Sequence, residues 1–242
     1  MRIFAISDLH LSFNKDVSLY GIDAAEDQTK PMDVFGWERH FDRIRDAWLA
    51  QVTADDVVLI PGDISWAMNL KQARHDFQWI AELPGQKVLS PGNHCYYVSS
   101  KKKVRAALPE GMFWLDGDSM VVGEYAVVAT RGWSLPQDRS WDEASDRRIY
   151  ERQVERLKLA LEDAVQKSPE RPLIAMLHFP PITTYAKTSG FFELLKTYGV
   201  ELCVYGHLHG NAHQVAVNEV VSGVELRLVA CDYLDFSPLR LR

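Results

Sequence analysis

The sequence predicts an α/β fold with a substantially parallel sheet, and three observations predict it. Short apolar runs rich in β-branched residues alternate along the chain with segments of helical period. Five of those runs end in Asp, Asn or His, as strands do where an open α/β sheet meets its ligand crevice. The composition is that of an ordinary globular chain: 242 residues, 47% apolar and 25% charged. A chain of this length buries roughly 70–75% of its unfolded surface, so its core needs no disulfide support.

The elements follow in order. Arg2 to Ser7 opens the chain as a strand, followed by Asp8-Leu9-His10. Phe41, Ile44, Trp48 and Val52 are spaced as one face of a helix. Asp56 to Ile60 is the second strand and runs into Gly62-Asp63. Leu70, Ala73, Phe77 and Ile80 mark a second helix, with Asn69 and Gln72 placed as its cap and capping box. Lys87 to Ser90 is the third strand and precedes Gly92-Asn93-His94. Met120 to Ala129 reads as a strand pair or one long strand. A long helix from about Asp142 to Lys167 presents Tyr150, Val154, Leu157, Leu161 and Val165 on one face. Pro172 to Leu177 is a strand ending at His178, and Phe191 to Tyr198 a helix closed by Gly199. Glu201 to Tyr205 leads into Gly206-His207-Leu208-His209, and the tail from His213 to Ala230 reads as two strands around Ser222-Gly223. No repeat, linker or low-complexity stretch divides the chain, so residues 1–242 read as a single domain.

The balance of 27 basic and 33 acidic residues gives a net charge of −6, which argues against a general binder of nucleic-acid backbone. No apolar run approaches the ~18 residues of a membrane span, and no signal peptide opens the chain. Cys95, Cys203 and Cys231 are widely spaced and odd in number, which disfavours a disulfide framework and fits a cytoplasmic protein.

The chemistry lies at the strand ends. Asp8, His10, Asp63, Asn93, His178, His207 and His209 are seven metal-ligand side chains, more than one four-coordinate ion needs. With one carboxylate bridging, they supply two ions. Nitrogen and oxygen donors without thiolate suit Mn, Fe, Zn, Co or Ni. Two such ions a few ångströms apart serve phosphoryl transfer. The glycines before Asp63, Asn93 and His207 allow tight turns and close approach.

The ordered set D-x-H, G-D, G-N-H, a lone His and G-H-x-H resembles the calcineurin-like metallophosphoesterase superfamily over nearly the whole chain. Phe35-Gly36-Trp37 and Pro61 to Ala67 resemble a bacterial branch of predicted phosphohydrolases. The resemblance implies a four-layer α/β/β/α sandwich of two mixed sheets with a dinuclear metal site at the strand C-terminal ends. It implies that Asp8, His10 and His209 hold one ion, that Asn93, His178 and His207 hold the other, and that Asp63 bridges. Mn is the expected metal, a bridging water or hydroxide the nucleophile, and His94 the catalytic residue that protonates the leaving group. The expected partner is a small phosphorylated substrate, a mono- or diester. A nuclease, a cyclic-nucleotide phosphodiesterase or a non-catalytic module are the alternatives, and the oligomeric state is left open.

Two departures stand out. Cys95 occupies the place where the family usually has an acid after G-N-H, and reads as a small buried residue. Ser65-Trp66-Ala67 follows G-D, unlike protein Ser/Thr phosphatases. Among the remaining candidates, His40 and His75 read as solvated, and Tyr96 and Tyr97 as packing residues or stacking platforms. Arg131 reads as a phosphate ligand or a surface ion pair, His213 as a lesser candidate, and Lys101-Lys102-Lys103 as a solvated basic run.

Overall fold

The computed structural model describes residues 1–20 and 28–242. Among them the strands form two sheets. β1 (Ile3–Ala5), β2 (Val57–Pro61), β3 (Gln86–Ser90) and β4 (Met112–Trp114) are parallel neighbours in the first. β6 (Tyr125–Thr130), β7 (Leu173–Leu177), β8 (Val200–Tyr205) and β10 (Val224–Leu228) are parallel neighbours in the second. Antiparallel strands finish the edges: β5 (Asp118–Val122) on β6, β9 (Val220–Val221) on β10 and β11 (Leu239–Arg240) on β1. Both sheets are therefore mixed, as the resemblance implied. The 120–129 region is the strand pair, turning at Gly123, whose φ is 58°.

Strand periodicity builds the layers. Successive side chains point to opposite faces, and these strands are apolar on both faces, as sheets covered on both sides must be. Ile3, Ala5, Val57 and Leu59 meet Val127, Ala129, Ile174, Met176, Leu202 and Val204 in one buried cluster between the sheets. The alternate residues Phe4, Ile6, Val58 and Ile60 face outward, onto Phe41, Ile44 and Trp48 of α1 (His40–Gln51) and Phe77 and Ile80 of α2 (Leu70–Glu82). Val104 of α3 (Lys101–Ala107) joins the same cluster. On the far side Ala126, Val128, Ala175 and Leu177 pack on Leu157 and Leu161 of α4 (Glu143–Lys167) and Phe191 and Leu195 of α5 (Gly190–Thr197). Helix, sheet, sheet, helix is the four-layer sandwich.

Capping chemistry sets the helix ends. Asn69 accepts from Gln72 N at 3.1 Å, but the Gln72 side chain answers Met68 N instead of Asn69 N, so the expected capping box is displaced by one residue. Asp142 caps α4 by accepting from Ala144 N. Lys87 runs back from β3 to the carbonyls of Ala81 and Leu83 at the end of α2, and burial pushes its ammonium down to about 8.

Three readings are corrected by packing. His40 is fully buried, with Nε2 2.9 Å from Leu9 O, because it precedes Ile44 and Trp48 by one and two turns on the buried stripe of α1. Val165 is 44% exposed, while Gln153, Ala160 and Ala164 lie inward, so the buried face of α4 is rotated from the expected one. The first part of the tail, Gly210–Val215, is a 3-10 helix; only the hairpin around Ser222-Gly223 is strand.

Candidate metal centre

The parallel strands deliver their C-terminal ends to one place, where short contacts join neighbouring strand ends within each sheet and, between Ser7 and Val229, one sheet to the other. Asp8 N donates to Gly62 O at 3.1 Å, Ser7 N to Val229 O at 2.7 Å, and Gly206 N to His178 O at 3.0 Å. Three glycines make that approach possible. A Cβ on Gly62 would lie 2.6 Å from the His178 ring, one on Gly92 2.1 Å from Asp63 Oδ1, and one on Gly206 2.3 Å from Asp8 Oδ2. Only Gly62 also needs the left-handed region, at φ 94°. Asp8, His10, Asp63 and His207 occupy that region too, at φ 60°, 45°, 46° and 70°. Non-glycine residues there cost of order 1–3 kcal/mol each and cluster at functional sites.

All eight residues singled out by the sequence converge. His209 Nε2 lies 3.3 Å from Asp8 Oδ1. His10 Nε2 lies 4.0 Å from Asp8 Oδ1 and 3.9 Å from Asp63 Oδ2. His178 Nε2 lies 3.3 Å from Asp63 Oδ2 and 2.7 Å from Asn93 Oδ1, which is also 2.9 Å from His207 Nδ1. His94 donates its backbone N–H to Asp63 Oδ1 at 2.8 Å, and its ring lies 5.7 Å from that of His10.

The donor set fits divalent cations. Ligand atoms about 2.1 Å from a shared ion lie roughly 3–4.2 Å apart, and the Asp–His separations are 3.3 to 4.0 Å. Asp8, His10 and His209 bring their ligand atoms within 4.8 Å of one another, and so do Asp8, Asp63 and His178. Asp8 belongs to both groups, and Asp63 Oδ2 reaches both His10 and His178, so either carboxylate spans the two.

The electrostatics point the same way. Burial pushes Asp8 and Asp63 up, but the imidazoles around them outweigh it: Asp63 falls to about 2, and Asp8 lies well below the carboxylate range. Burial holds His10 and His207 down at about 3, as neutral rings with a lone pair free for a metal. His209 is pulled the other way, to about 10, because Asp8 and Asp232 outweigh its burial. Buried carboxylates that draw protons onto their neighbours call for positive charge at this spot.

Outer contacts orient the rings. His178 Nδ1 sits 3.1 Å from Pro61 O, aiming Nε2 at Asp63 and Asn93. His209 Nδ1 sits 2.8 Å from Asp232 Oδ1, aiming Nε2 at Asp8. Trp66 stacks on His10 at 4.7 Å, and Trp37 meets His209 edge-on at 5.3 Å. These two tryptophans therefore form the wall around the first group of ligands.

Sequence reasoning missed Asp232 and Ser7. Ser7 Oγ donates to Asp8 Oδ2. Asp232 was findable by the rule that found the others, since the apolar stretch from Leu228 to Cys231 also ends in an acid. His213 lies beside it, with Nε2 3.2 Å from Asp232 Oδ2. Cys95 is buried, accepts from Gly92 N at 3.3 Å, and is pushed up to about 11 by burial, which removes it as a nucleophile. Tyr97 is buried as a packing residue, whereas Tyr96 is 50% exposed and places its hydroxyl 2.9 Å from His94 Nδ1. Arg131 makes no surface ion pair among the described residues; its guanidinium lies 4.5 Å from the Trp133 ring centroid. Lys101 opens α3 and pairs with Asp118, and His75 pairs with Asp16 at the surface.

The family model described as calcineurin-like phosphoesterase matches residues 1–211. No curated protein matches. Two crystal structures share the fold. One is a protein of unknown function from Aquifex aeolicus, at 15% identity and TM-score 0.52 over 99% of this chain and 95% of that one. The other is a protein from Thermus thermophilus, at 14% identity and TM-score 0.59 over 100% and 98%.

Proposed function

The chain belongs to the calcineurin-like phosphoesterase family, and from that premise we propose that it is a dinuclear metal-dependent phosphohydrolase acting on small phosphate mono- or diesters. The observation that carries the reading is the convergence of five separate strand ends into one cluster of nitrogen and oxygen donors, with Asp–His separations of 3.3 to 4.0 Å.

Asp8, His10 and His209 would hold one divalent ion, Asn93, His178 and His207 the other, with Asp63 between them; manganese is the proposed metal. Two ions held there would supply Lewis acidity toward the phosphoryl oxygens and a nucleophilic water of lowered pKa. His94 would donate a proton to the leaving-group oxygen. Its ring is half-buried at the mouth of the cluster, against Trp66 at 4.3 Å, and the Tyr96 hydroxyl fixes Nδ1 so that Nε2 is the free nitrogen. Burial keeps His94 below its ordinary value, so its protonated form is a stronger acid than a free imidazolium and is less populated at neutral pH.

The intact ligand set and the structural role of Cys95 support an enzyme over a binding module. The three buried free cysteines accord with a reducing compartment. No helix among the described residues is long and apolar enough to cross a membrane.

The test is hydrolysis of paired chromogenic mono- and diesters by manganese-loaded protein, with Asp63→Asn as control. Turnover lost in the control supports the proposal. Equal turnover in the two proteins refutes it.

A further inference from the structure

A cavity of about 330 Å³ opens beside the Gly92 turn. Its walls come from Pro91 and Gly92, from Cys95, from the end of β6 and from α4. Three arginines line it: Arg131, Arg152 and Arg156.

The charges do not balance locally. Asp116 pairs with Arg156 at 2.5 Å, and it is the carboxylate lining the cavity. Neither Arg131 nor Arg152 has an ion-pair partner among the described residues. Arg131 Nε is buried with no hydrogen-bond partner, and Asp116 Oδ1 is buried with none either. A buried unpaired guanidinium N–H is expensive, and guanidinium does not shed its proton to escape the cost. An excess of two positive charges in one cavity of a chain whose net charge is −6 is a site waiting for an anion.

We propose that this arginine-lined cavity is a phosphate-binding site, separate from the metal-ligand cluster and adjoining it through the Gly92 turn. A phosphate dianion matches the excess charge, whereas a carboxylate supplies half of it. Guanidinium forks bind phosphate oxygens in pairs. Asp116 Oδ1 accepts from a protonated phosphate oxygen or a hydroxyl beside it. The phosphate is either free or one phosphoryl group of a molecule whose other phosphoryl group reaches the metal ligands.

The test is calorimetric titration of inorganic phosphate into metal-free protein, which does not depend on hydrolysis. One site is expected, weakened about tenfold by Arg152→Gln and further by Arg131→Gln with Arg152→Gln, as loss of charge-assisted bonds predicts. Asp63→Asn, which removes a carboxylate whose charge acts on Arg131, should not weaken it. Arg152 is exposed, so its variant keeps the fold; circular dichroism checks the pair. Binding untouched by either arginine change, or no binding, overturns the proposal. A bisphosphorylated sugar then separates the two sources. In manganese-loaded protein, it binds more tightly than phosphate and loses that advantage in Asp63→Asn if one molecule spans both sites. It binds no more tightly than phosphate if the site takes free phosphate.

Discussion

Adding a single methyl group at Gly92 should disable the centre without replacing a ligand. The Cβ of Gly92→Ala would lie 2.1 Å from Asp63 Oδ1 and 2.3 Å from Asp63 N. An ordinary carbon–oxygen contact is about 3.5 Å, so carboxylate and methyl must separate by roughly 1.4 Å. The carboxylate has little room to retreat. Asp63 is buried, its Oδ1 accepts from His94 N at 2.8 Å, and its Oδ2 faces His178 at 3.3 Å. Overpacking of this kind costs about 1–3 kcal/mol of stability. A displacement of about 1 Å at a reacting centre costs on the order of 100-fold in turnover. The assay combines thermal melting, metal content after gel filtration and chromogenic ester hydrolysis. A folded variant with reduced metal content and turnover down about 100-fold is expected. Wild-type turnover and full metal content in Gly92→Ala would refute the claim that Gly92 is needed for close approach to Asp63.

Other consequences follow from the same geometry. Tyr96→Phe should keep metal content and lower turnover several-fold, with a shifted pH profile, because His94 loses the partner at Nδ1; an unchanged profile would show that the contact has no catalytic consequence. Cys95→Ala should retain turnover within about threefold, since a thiol pushed up to about 11 is not the nucleophile; complete loss in a folded variant would reverse that conclusion. Asp76, buried between Ser65 Oγ and Phe13 N, is raised by burial to about 7. Its folded pKa exceeds its unfolded value, so its stabilising contribution is full below about pH 4 and is lost as pH rises toward 7. Wild-type melting temperature should therefore fall relative to Asp76→Asn across that window, and a constant difference would contradict the burial argument.

Much of the centre was legible in the sequence because strand ends concentrate it. Each parallel strand is a short apolar run, and the first polar residue past it must face the crevice, so Asp8, Asp63, Asn93, His178 and His207 could be read without coordinates. The same rule reaches Asp232, but the sequence shows the segment before it only as the second strand of a hairpin and gives no sign of its parallel pairing with β8, which brings that acid to the crevice. What failed was finer. His40 looked solvated because neighbouring polar residues hid its place on the buried stripe of α1, and the rotation of α4 depended on where Ala160 and Ala164 fit against the sheet. The edge strands β4 and β11 have three and two residues, too short for any periodicity to declare them. The contact of Tyr96 with His94 and the pooling of Arg131, Arg152 and Arg156 in one cavity join residues through the fold, and no local pattern encodes them.

In the proposed centre seven side chains, Asp63 among them, would hold two ions. Elemental analysis of protein equilibrated with manganese and freed of excess metal tests it most directly. Two ions per chain are expected in the wild type and at most one in Asp63→Asn, with both proteins folded. No more than trace metal in the wild type, or two ions retained in Asp63→Asn, would contradict it.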